Sequence, residues 1–230
     1  MERRFVGIDV QIKRGIPVAV MDCAGRVVET LWLPAEKAAA GIEEVIFRLG
    51  PENCFVGIDA PRQPMPQLRT WSCTRGEWMP CKGNRGRHCE LVVNALGLAN
   101  PQWTPLADEA PEWMQLGFDL FQSDEKTGAK IFEVFPTATY RALDAAKDSE
   151  SINIPLTGMS PGPKDMLDAI AGAFTVWRYV EGKGSAVGGG DGLGEIILPT
   201  VITKEHPIHR WPEKLPGISG VTGRSLLPWA

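Results

Sequence analysis

Three short apolar runs open the chain. Arg4 to Val10 (RFVGIDV), Ile16 to Asp22 (IPVAVMD) and Arg26 to Leu33 (RVVETLWL) are rich in β-branched residues and are separated by Gly15 and by the turn Asp22-Cys23-Ala24-Gly25, which predicts an antiparallel meander. The period then lengthens. Between Pro34 and Leu49, Ala38, Ile42, Val45, Ile46 and Leu49 recur at three- and four-residue steps, predicting an amphipathic helix that ends near Gly50-Pro51. Cys54 to Asp59 (CFVGID) is apolar throughout, as a strand buried on both faces is, and the helix before it makes it a parallel return.

From Arg62 to Arg87 the pattern breaks. This stretch holds Pro64, Pro66 and Pro80, and six Arg or Lys residues against the single acid Glu77, and it reads as a basic loop insertion. Helices are expected at Arg87 to Leu98 and Pro111 to Gln122, a further strand at Ile131 to Phe135 (IFEVF), and a short helix after Pro136 through Ala146. Pro163 stands at the first turn of a strong helix, Lys164 to Tyr179, with Met166, Ile170, Ala173, Phe174 and Trp177 on one face. The Gly-rich stretch Gly182 to Gly194 reads as a flexible connector, Glu195 to Ile202 as a last strand, and residues 204–230 as a Pro-rich tail without pattern. The order predicts one α/β domain over residues 1–230, with three antiparallel strands followed by parallel strands, flanked by helices.

Composition narrows the picture in a few places. Hydrophobic residues at 43% and charged residues at 23% are ordinary for a chain that folds, and 230 residues suit one core. A net charge of −4 supplies no global field for nucleic acid, so any such partner must meet a local patch. The apolar run after the two N-terminal arginines is too short for a signal segment and no stretch is long enough to cross a bilayer, so the expectation is a cytoplasmic protein without membrane contact. Five cysteines, odd in number and without paired CxxC spacing, fit reduced thiols; Cys73, Cys81 and Cys89, eight residues apart, do not have zinc-site spacing.

Candidate chemistry lies with the acids. Asp9 closes the first strand, Asp59 closes the repeated FVGID, Glu133 lies inside IFEVF, and Asp165 and Asp168, three apart, share one face of the helix. Ionised carboxylates drawn out of water are costly unless a cation pairs with them, and strand C-termini are where ligands bind in open α/β sheets. Mg2+ or Mn2+ prefers such oxygen ligands, and two ions can activate water and stabilise a leaving oxygen in phosphoryl displacement. The expected site therefore comprises Asp9, Asp59, Asp165 and Asp168 as ligands, with Glu133 in support. The alternative is that each acid caps a strand or favours a helix N-terminus.

The succession FVGIDV, FVGIDAP, EVFP and DMLDAIAGAFT resembles the DUF429 family, described as predicted nucleases of ribonuclease H-like fold, over Val6 to Pro199. The helical motif is also similar to the last helix of Holliday-junction resolvases, whose two metal-binding aspartates match Asp165 and Asp168. The resemblance implies a ribonuclease H-like fold, with Asp9 as the first-strand aspartate and Asp59 as the fourth-strand acid; Glu133 belongs to the DUF429 pattern alone. The implied activity is metal-dependent phosphodiester hydrolysis.

In the basic loop, Arg62, Arg69 and Arg87 are candidates to neutralise phosphates and Trp71 to stack on an unpaired base, the loop otherwise being a solvated insertion. Two rival readings stand beside the nuclease. One is an actin-like ATP-dependent phosphotransferase, for which the chain is short. The other is a non-catalytic module of the same fold that binds nucleic acid or another partner.

Overall fold

The computed structural model describes residues 2–83, 85–147, 158–214 and 216. Strands β1 (Arg4–Asp9), β2 (Ile16–Met21) and β3 (Val27–Leu33) form the meander, followed by α1 (Ala38–Leu49) and β4 (Cys54–Asp59). A hairpin of β5 (Trp71–Thr74) and β6 (Glu77–Pro80) precedes α2 (His88–Ala95), α3 (Glu112–Asp124), β7 (Lys130–Glu133) and α4 (Pro136–Ala146). The chain continues through α5 (Pro163–Val180), β8 (Ser185–Gly188) and β9 (Glu195–Leu198). Among the described residues, seven strands make one mixed sheet in the order β3-β2-β1-β4-β7-β9-β8. The meander is antiparallel, β1, β4, β7 and β9 run parallel, and β8 returns antiparallel at the far edge. This is a mixed α/β architecture with flanking helices, compatible with a ribonuclease H-like fold.

Alternation along the central strands divides the core. Val6, Ile8, Val56, Ile58 and Ile131 pack with Ile42, Val45, Leu120 and Phe121 of α1 and α3, while Phe5, Phe55 and Val134 pack with Met166, Ala169, Ile170 and Phe174 of α5. Successive side chains leave a strand on opposite faces, so Asp9 shares the α5 face with Phe5 and Gly7, and Asp59 shares it with Phe55 and Gly57.

The glycine in each FVGID has a packing reason. A Cβ on Gly7 would lie 1.9 Å from the Ala169 carbonyl oxygen and 2.3 Å from the Ala173 nitrogen, and one on Gly57 would lie 2.6 Å from Val176. The absence of both lets α5 rest directly on β1 and β4. That close approach brings the first turn of the helix, with its acids, to the ends of the strands.

Two sequence expectations change. The basic segment is not structureless: Arg75 (φ 53°) and Gly76 (φ 84°) form a two-residue turn of the left-handed kind that joins hairpin strands, and β5 pairs with β6 from Trp71–Pro80 to Thr74–Glu77. The Gly-rich connector contains β8, which pairs with β9 over four residues because its small residues still offer backbone donors and acceptors. In the Pro-rich tail, Pro207–His209 forms one 3-10 turn, and the end of the tail lies outside the described residues. Among the described residues no helix is long and apolar enough to cross a membrane.

Candidate functional site

Asp9 and Asp59 are register partners at the C-terminal ends of two adjacent parallel strands, and their carboxyl groups lie close enough to influence each other's ionisation. Two carboxyls so placed cannot both ionise cheaply. Burial, followed by the negative charges of Asp168 and Asp165, pushes the Asp9 pKa up to about 7. Asp59 is held well above the usual carboxylate range by burial and by Asp9, with Asp168 and Glu133 adding to the effect.

The α5 acids sit beside this pair with partners of their own. Asp165 accepts hydrogen bonds from Gln11 Nε2 at 2.8 Å and lies 3.2 Å from Arg14 Nε. Asp168 accepts from the Tyr140 hydroxyl at 2.9 Å and pairs with the exposed ammonium of Lys164, one helical turn earlier. Lys164 also offsets part of the negative potential at Asp9 and Asp59. Among the described residues, no group of three His, Cys, Asp or Glu side chains is assembled that could hold a metal ion.

In kind, the donors fit a hard divalent cation: all are carboxylate oxygens, and burial together with neighbouring acids makes their ionisation costly without a cation to balance the charge. In arrangement, two ligands meet, and Asp168 would have to exchange the Lys164 ammonium to become the third.

Glu133 does not join them. It is the register partner of Ile58, so the alternation of β7 directs it away from the α5 face that Asp9 and Asp59 share. There it receives Arg87 Nη1 at 2.7 Å and Nη2 at 2.5 Å, together with the Arg62 backbone N–H at 3.0 Å. Burial raises its proton affinity and Arg87 opposes the rise. Expected as a supporting ligand or as the group that orients water, Glu133 has both oxygens engaged by Arg87 and by the Arg62 backbone.

The basic-loop residues likewise have partners within the chain, as buried charges need. Arg87 is 1% exposed and is bonded to Glu90 as well as Glu133. Arg69 is 6% exposed and donates to Asp191 at 2.7 Å, with its guanidinium 5.0 Å from the Trp71 ring centroid. Trp71 is enclosed by Trp78 and Trp211 at centroid distances of 5.4 and 5.1 Å. Arg62, half-buried, pairs with Glu125 and lies 4.7 Å from the Phe121 ring. These four side chains anchor the segment to the domain. Arg75 and Lys82 remain exposed.

Asp191 escaped the sequence reading. Buried in the Gly-rich loop, it accepts from Arg69, from the His88 backbone N–H at 2.7 Å and from the Leu193 N–H at 3.1 Å, fixing the loop to the start of α2. Its only signal was a lone acid among glycines.

A cleft of about 270 Å³ opens at the C-terminal edge of the sheet beside Asp59, with Trp113 and Phe135 among its walls and Arg87, Glu90 and Glu133 at its base. Compared with known proteins, the chain matches no protein-family model and no curated protein.

Proposed function

We propose that this chain is a metal-dependent hydrolase of phosphodiester bonds, a nuclease of the ribonuclease H-like kind, as the DUF429 resemblance implies. The supporting observation is the Asp9–Asp59 pair: two carboxyls in register on neighbouring strand ends, with proton affinities raised by burial and by neighbouring acids. Purely structural acids are seldom stacked in this way, because each raises the cost of ionising the next.

In this reading Asp9 and Asp59 hold Mg2+ or Mn2+ and Asp168 is the third ligand. The cation's contribution is positive charge that makes a water acidic and favours departure of the ester oxygen. Asp165, steadied by Gln11 and Arg14, keeps the negative potential of the cluster high and orients water from the helix side. Tyr140, whose proton is held more tightly because of burial and Asp168, fixes the orientation of that aspartate. Five free thiols suit a reducing compartment, and we assign the protein to the cytoplasm.

The lack of an assembled three-ligand group among the described residues favours, as a second reading, a non-catalytic binding module of the same fold. The test is cleavage of single-stranded, duplex and branched DNA and RNA with Mg2+ or Mn2+. Metal-dependent cleavage lost in Asp9→Asn supports the hydrolase. Cleavage unaffected by Asp9→Asn removes it, and a melting temperature unmoved by millimolar divalent ions favours the binding module.

A further inference from the structure

The cleft beside Asp59 has two chemically different ends. At one lies Asp59, at the end of β4. The rest is built from Trp113 of α3, Phe135 and Val134 after β7, and Pro101, with the solvent-facing Gln102 at its rim.

The charged residues at its base offer a ligand nothing ionic. Glu90 accepts from the Arg87 backbone N–H at 3.0 Å, Arg87 Nη2 at 2.9 Å and the Thr104 backbone N–H at 3.1 Å, and it also bonds the Thr104 hydroxyl. Glu133 is occupied by Arg87 and by the Arg62 backbone. With those charges satisfied internally, the cleft suits a neutral guest with apolar faces and a polar edge that Gln102 can meet. About 270 Å³ is below the range of drug-sized pockets and admits one ring system, not a helix or a stacked base pair.

We propose that this cleft is a nucleobase subsite, seating one unpaired base of a single strand against Trp113 and Phe135 while the attached phosphate lies toward Asp59. It rests on the phosphodiesterase reading for the phosphate end only. A base inside a duplex is paired and stacked and cannot enter, so the subsite selects single-stranded or extruded nucleotides. Aromatic stacking tolerates every base, so the expected preference is for strandedness over sequence.

The base end is tested apart from the metal, with adenosine and cytidine, which carry no phosphate, and ribose as control, in metal-free buffer by saturation-transfer NMR and calorimetry. Both nucleosides are expected to bind in the millimolar range with their ring protons saturated, and ribose is not. Trp113→Ala is expected to weaken them on the order of 5- to 150-fold, as loss of base stacking does. Trp113 also packs on the core, so Trp113→Phe, which retains a ring and most of the binding, and Gln102→Ala at the exposed rim, which weakens it, guard against simple unfolding. Nucleosides that fail to bind wild type, or that bind Trp113→Ala and Gln102→Ala as tightly as wild type, overturn the subsite. A separate Mn2+ titration of the wild type and Trp113→Ala reads the carboxylate site. Equal Mn2+ affinity of the two proteins with lost nucleoside binding in Trp113→Ala separates the two claims, and failure of the wild type to bind Mn2+ while it still binds nucleosides sinks the hydrolase and leaves the subsite standing.

Discussion

Asp124 ends α3 fully enclosed, and neither of its carboxylate oxygens has a hydrogen-bond partner among the described residues. Burial, with a smaller push from Glu43, lifts its pKa from the ordinary 3.8 to about 7. In the unfolded chain the proton leaves near the ordinary value, so between the two the native state binds a proton that the unfolded state does not. The stability this group contributes is complete below the unfolded pKa and is lost as pH rises through about 7. A gap of about three units at 1.36 kcal/mol each amounts to about 4 kcal/mol. Asp124→Asn preserves the shape and removes the titration. Urea unfolding of both proteins near pH 4 should give nearly equal stability, and the variant's advantage should grow by up to about 1.4 kcal/mol per pH unit toward about 4 kcal/mol at pH 8. Comparing the two proteins cancels the titration of Asp9 and Asp59, which they share. A difference that stays flat from pH 4 to pH 8 refutes the argument, because it would mean that the carboxylate is solvated when charged.

Further perturbations probe what positions the site. Gly7→Ala places a methyl carbon inside the backbone of α5 and should cost about 3 kcal/mol or more in chemical denaturation, beyond the usual loss from overpacking; a cost under about 1 kcal/mol would mean that α5 is not seated as described. Arg87→Met strands two buried carboxylates and should destabilise by roughly 3–5 kcal/mol, with part of the loss restored in Arg87→Met/Glu133→Gln, a recovery absent if the three residues are not coupled. Lys164→Gln removes an exposed ammonium that competes for Asp168 and should tighten Mn2+ binding by up to about five-fold in calorimetry, whereas weaker binding would give Lys164 a different role.

Much of the architecture was legible because burial writes a period into the sequence. The repeated FVGID announced two central strands ending in acids, and the spacing of Asp165 and Asp168 announced a helix face. The hairpin was missed although Arg75-Gly76 lay between two four-residue strands, because the basic composition suggested solvent. Glu133 was grouped with the other acids by its position in an apolar run. Counting in twos across the β4–β7 register, which requires knowing that Ile58 faces Glu133, puts it on the other side of the sheet. Asp191, which pairs with Arg69, and Glu133, which pairs with Arg87 beside the nearby Glu90, lie 122 and 46 residues away, and no local pattern encodes ion pairs of that range.

The central claim, that the strand-end carboxylates are a cation site, is most directly tested by soaking crystals of the wild-type protein in Mn2+ and mapping its anomalous signal. The account predicts a peak within about 2 to 2.5 Å of carboxylate oxygens from both Asp9 and Asp59, with Asp168 turned from Lys164 toward it. A map with no peak there at millimolar Mn2+, and with Asp168 still paired with Lys164, contradicts it.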